Sequence, residues 1–158
     1  MPASLCQGQL FDGGVSKGRI SFKEKIAQIE QTDKKNRIIR AERTFMEPDR
    51  YKGSDADELR EKVNYIVKEK STRILRVTLG ATDCKEEEVL EWTDTTKTAA
   101  RYRITKSMTA QAAAKGDDGK VYLHSVHLAS DRKSDGSWAP LYGHIMWSDW
   151  MVEENVNK

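Results

Sequence analysis

Cysteine is nearly missing from this sequence: Cys6 and Cys84 are the two in 158 residues, and neither lies in a CxxC pair. That excludes a disulfide framework and a cysteine-based zinc or redox centre, and two reduced thiols point to a cytoplasmic setting. Long apolar runs are missing as well. No stretch approaches the 18 or so apolar residues of a membrane span, and the first residues lack a charged segment leading into an apolar one, as a secretory signal would have. A soluble protein without a membrane partner is the expectation. Charge of one sign is also lacking, since 27 basic residues stand against 25 acidic ones. A net charge of +2 gives no global field to draw nucleic acid or an anionic surface. Any such binding must come from a local patch. Finally, no GxSxG, HExxH, GxxxxGK[ST] or GxGxxG occurs, so the sequence contains no motif for catalysis or for a cofactor.

What is present describes a globular chain. Hydrophobic residues make up 37% and charged residues 33% of the sequence. At this length a single domain with one core is expected, burying roughly 68 to 70% of the surface of the unfolded chain. Residues 1–18 are rich in Gly, Ser and Gln, yet carry Leu5, Leu10, Phe11 and Val15. That is too apolar for a freely solvated tail and suggests an arm that docks on this chain or on a partner. Residues 19–158 form the domain proper.

Residues 19–46 allow two readings. Ser21 followed by Glu24 has the form of a capping box for a helix carrying Phe22, Ile26 and Ile29 on one face. The polar cluster TDKKN between KIAQIEQ and RIIRAERTF reads as the turn of a hairpin, and the hairpin is the preferred expectation. Beyond Pro48 and Gly53 the signal is clearer. Leu59, Val63, Ile66 and Val67 recur at helical spacing, with acidic residues at the start and Lys68 and Lys70 at the end, which predicts a helix over 55–69. Strand-like runs follow at 73–80, 87–93, 100–108, 120–129 and 140–150, separated by TDTTKT, KGDDG and DRKSDGS. The predicted fold is therefore α+β: a curved antiparallel meander of about five or six strands packed on one main helix. A half-open cone of the cystatin-like or NTF2-like kind is an analogy from element order alone.

Three sets of residues are candidates for function. In LYGHIMWSDW, period two places Tyr142, His144, Met146 and Trp150 on one face, where with Trp92 they could line an aromatic pocket holding one titratable group. Core packing of the same face is the preferred reading, because large aromatics usually fill cores. His124 and His127, three apart on a strand, point to opposite faces, so no metal site is expected. Arg37, Arg40 and Arg43, extended by Arg101 and Arg103, form the densest basic group and the candidate nucleic-acid surface, although no aromatic residues interleave with the first three. The run Glu86, Glu87, Glu88 with Glu91 reads as a solvated face, and Asp117 and Asp118 read as a turn. The function expected first is a non-catalytic interaction or assembly subunit with no cofactor, whose partner is itself or another protein. A ligand-binding or enzyme domain around His144 comes second and a nucleic-acid module third.

Overall fold

The computed structural model describes residues 21–158. The expected docking arm, with Leu5, Leu10, Phe11 and Val15, lies outside the described residues. The chain divides into two units, Met1–Lys35 and Asn36–Lys158. The sheet, the second helix and the last two turns of the first helix belong to the second unit.

Of the segment 19–46, expected as a hairpin, the part described from residue 21 onward holds a helix instead. Helix α1 runs from Phe22 to Arg43, opened by the capping box that competed with the hairpin reading. Ser21 N donates to Glu24 Oε2 at 2.7 Å and Glu24 N donates to Ser21 Oγ at 3.2 Å. The polar cluster mistaken for a turn is absorbed into the helix, where Thr32 Oγ1 donates back to the Gln28 carbonyl at 2.8 Å. The segment is rich in Lys, Glu, Gln, Arg and Ala, so intrinsic propensity sustains a helix in which only Ala41 is buried.

Helix α2, Ala56–Lys68, matches the predicted helix. Leu59, Val63 and Val67 are buried at i, i+4, i+8, while Ile66 is half-buried at the margin of the core. Asp57 and Glu58 occupy its first turn and Lys68 its last, as the helix dipole favours. Arg60 ties the helix to the sheet: it pairs with Asp49 at 2.8 Å, and the other oxygen of Asp49 accepts the Leu79 amide at 3.0 Å.

Among the described residues five strands form one antiparallel sheet: β1 Arg73–Leu79, β2 Lys85–Trp92, β3 Ala100–Lys115, β4 Val121–Asp131 and β5 Tyr142–Met151. β1 and β2 lie end to end along one edge of β3. β1 pairs with residues 110–115 and β2 with residues 100–107. β4 and β5 follow on the other side in hairpin succession. The strand expected to stop at Met108 continues through the alanine run to Lys115. These alanines give no alternation to read, and their size lets α2 lie close: Ala110, Ala112 and Ala114 pack with Leu59, Val63, Val67, Val126 and Leu128 in one buried cluster.

The opposite face carries a second cluster, Ala113, Val121, Leu123, Met151 and Val156, with Met46 and Leu75 against it. Residues 44–47 and the turn Glu153–Asn155 cover this side. Asn155 is buried, and its Nδ2 donates to the carbonyls of Glu42 at 2.8 Å and Thr44 at 3.0 Å, on either side of the end of α1. Val152 N donates to the Ala41 carbonyl at 3.3 Å.

Towards Ala100 the sheet narrows. β4 ends opposite Thr105, so β2 and the first residues of β3 extend beyond it as a two-stranded arm. Ala100 and Tyr102 are exposed there, whereas Met108, further along the same face, is buried.

Candidate functional site

β5 is the last strand of the sheet, so one of its edges has no strand partner among the described residues. Its register with β4 holds the key to its faces. Leu128 lies opposite Gly143, Val126 opposite Ile145, then Ser125 opposite Trp147, which leaves Met146 as the extra residue of a bulge. A bulge reverses the alternation beyond it. The face expected to hold Tyr142, His144, Met146 and Trp150 together is therefore split. Trp147 joins Tyr142 and His144, while Trp150 pairs with Tyr122 on the α2 side. Core packing does not describe this strand either: Tyr142, His144, Met146 and Trp147 are exposed and Trp150 is half-buried. Trp92 is exposed at the far end of the arm, opposite Ala100, and joins none of them.

Gly143 brings α2 onto the edge. A Cβ at this position would collide with the His127 carbonyl oxygen and sit 3.1 Å from Ile66 Cδ1. Beside this contact, α2 and β5 enclose an open groove of about 390 Å3. Lys62, Tyr65, Ile66, Glu69 and Lys70 form one wall and Tyr142–Ile145 the other. Lys62 Nζ lies 5.3 Å from the centre of the Tyr65 ring, and Tyr65 is 66% exposed. Two lysines against one glutamate make the groove basic, and its floor margin at Ile66 is apolar. A second open groove, about 520 Å3, lies at the start of α2. There Lys106 stands 3.6 Å from Asp55 and 5.1 Å from the Trp138 ring centre. Asp55 also accepts the Tyr51 hydroxyl at 2.6 Å, which holds its carboxyl below the usual range and raises the Tyr51 phenol.

The histidines separate as their spacing requires. His124 is on the α2 side, 4% exposed, with Nδ1 2.7 Å from Ser148 Oγ, and burial pushes its pKa down. His127 and His144 are register partners on the other face, with ring centres 5.7 Å apart. No group of three or more His, Cys, Asp or Glu able to hold a metal occurs among the described residues.

The arginines do not converge. Arg37, Arg40 and Arg43 are exposed on α1, and Arg40 pairs with Asp149 at 2.8 Å. Arg101 and Arg103 both pair with Glu91, at 3.0 and 2.7 Å. Asp149 lies across from Leu123 and so from Ala113, which puts the two groups some ten residues apart along β3, roughly 35 Å at the rise of a strand. Asp117 and Asp118 form the turn they predicted: Asp118 accepts the Lys120 amide at 3.1 Å, and Gly119 takes the positive φ the turn needs.

β1 and β2 share the other edge of the sheet, and β2 is its more exposed part. Seven of its eight residues are exposed, and on the α2 side of the sheet it presents Glu86, Glu88, Leu90 and Trp92 in alternation. Leu90 is 67% exposed, and Tyr102, opposite it, donates its hydroxyl to Glu88. Lys85 pairs with Glu87. Neither Glu86 nor Glu88 has an ion-pair partner among the described residues.

Sequence reasoning missed Lys62, Tyr65 and Lys70. Their only signal was an aromatic and two lysines along the flank of a helix whose other side carries the apolar stripe. No described helix is long and apolar enough to cross a membrane. A scan against protein-family models, a search of curated proteins and a search of solved structures each find no match.

Proposed function

We propose that this chain is a non-catalytic assembly module, which joins to another chain through the bare edges of its sheet. The observation that carries this reading is the α2–β5 groove. An unpaired strand edge lies next to a helix-lined trough, the arrangement by which an extended segment adds a strand and seats alternate side chains. Long exposed edges invite pairing, and β2 and β5 carry Val89, Leu90, Trp92, Tyr142, Met146 and Trp147 exposed. The arm at residues 1–18 is a further docking element in this proposal, and the cytosol its setting, on the scarcity of cysteine in the sequence.

Light scattering at two concentrations tests the reading. Assembly gives a mass above 18.0 kDa that rises with concentration, and removing residues 1–15 lowers it while the domain stays folded. A monomer at both concentrations that also recovers no partner chain removes the reading.

A second reading has one observation in its favour. The groove beside His144 exceeds the ~300 Å3 lower bound of small-ligand pockets. A ligand held there raises the thermal midpoint of the wild type, and a monomer with that response moves the function to ligand binding.

A further inference from the structure

We infer that the segment received by the α2–β5 groove is strand β2 of a second copy of this chain; the inference rests on the assembly reading above. The directions of the strands permit it. β2, β3, β4 and β5 alternate, so β5 runs opposite to β2. β2 lies level with residues 100–107 of β3, whereas the groove end of β5 lies level with residues 107–110. A second copy displaced sideways and slid along the strands by about five residues, roughly 17 Å at the rise of a strand, therefore offers its β2 antiparallel to β5 with both α2 helices on the same side. In that arrangement the α2-side residues of the incoming strand, Glu86, Glu88, Leu90 and Trp92, meet the wall of α2 that carries Lys62, Tyr65 and Lys70.

The chemistry of the two surfaces matches. Two glutamates without ion-pair partners approach two lysines, and Leu90 and Trp92 approach exposed Tyr65 and half-buried Ile66. A symmetric pairing of β5 with β5 would instead bring Lys62 and Lys70 of one copy towards the same lysines of the other, and like charges across an interface are strongly disfavoured. The pairing of β2 with β5 is heterologous, so it leaves a free β2 at one end and a free β5 at the other, and growth is open-ended.

A charge exchange tests this. Glu86→Lys with Glu88→Lys makes β2 basic, and Lys62→Glu with Lys70→Glu makes the groove acidic. Each double variant alone presents like charges at the contact and is expected to bind its own copies at least about tenfold more weakly than the wild type. An equimolar mixture restores opposite charges at every junction, so its mass by light scattering returns towards the wild-type value. Circular dichroism checks that each variant is folded, and the neutral pairs Glu86→Gln/Glu88→Gln and Lys62→Gln/Lys70→Gln, each expected to weaken association, replace any that is not. Variants that associate as the wild type does, or a mixture that fails to recover, overturn the β2–β5 contact and leave the assembly reading intact. A wild-type chain that stays at 18.0 kDa at every concentration overturns this inference and self-assembly together.

Discussion

His124 Nδ1 and Ser148 Oγ lie 2.7 Å apart across β4 and β5, and the other ring nitrogen of this histidine is buried without a hydrogen-bond partner among the described residues. Burial disfavours the charged ring, so the folded chain holds His124 with a pKa below the usual 6.5. Below that value the unfolded chain binds a proton that the folded chain refuses. Stability from this group is therefore complete above pH 6.5 and declines as the pH falls from there towards the folded pKa. Urea unfolding of the wild type and of His124→Gln at pH 7.5 and 5.5 should show a smaller loss on acidification in the variant. Equal losses would mean that His124 does not titrate in this window.

Truncating the helix stripe separates core from groove. Leu59→Ala removes a fully buried side chain and is expected to cost about 2 to 5 kcal/mol. Ile66 is half-buried beside the groove, so Ile66→Ala should cost about 1 kcal/mol, on the smaller area it removes from water. Denaturant midpoints of the two variants give the comparison, and equal costs would contradict the placement of Ile66 at the margin.

The helix α2 and the strand runs were legible because their periods are clean: Leu59, Val63 and Val67 at helical spacing, and Val121, Leu123 and Val126 within a run apolar on both faces. α1 was misread because its short stripe of Phe22, Ile26 and Ile29 stops at a polar cluster that imitates a turn, while local bonds such as Ser21 with Glu24 decide the helix. The alanines 110–114 gave no alternation at all. The site was the least legible part. The bulge at Met146 leaves no mark in residue type yet exchanges the faces of Trp147 and Trp150. The groove joins Lys62 to His144, more than eighty residues apart, through a packing that no local pattern reports.

Gly143 is where α2 comes closest to the edge strand. Gly143→Ala would push a methyl group into the His127 carbonyl and the Ile66 side chain, and the expected cost is about 1 to 3 kcal/mol. The His127 carbonyl on β4 must move to admit it while the Ile66 side chain shifts only slightly, so the pairing of β4 with β5 should loosen beside the groove and the association measured by light scattering should change with it. An unaltered thermal midpoint would show that the contact is looser than described.

Asn155→Ala deprives the carbonyls of Glu42 and Thr44 of the side-chain amide that satisfies them. Leaving such groups unpaired costs about 1 to 3 kcal/mol. Limited proteolysis should then cut sooner between residues 40 and 47, where α1 gives way to the segment over the second cluster, and unchanged cleavage would count against a clamping role.

The clamp also sets an order of events. β3 with β4 and β4 with β5 are neighbours in the chain, so these hairpins close short loops and can zip in succession. Asn155 reaches Glu42 across 113 residues, and a loop of that length closes at little entropic cost only after the intervening strands have shortened it. The contact therefore belongs after the rate-limiting barrier. In stopped-flow kinetics Asn155→Ala should leave the folding limb of the chevron in place and raise the unfolding limb, a φ-value near zero. The last turn of the molecule thus governs how long the fold persists, and has little part in how fast it forms.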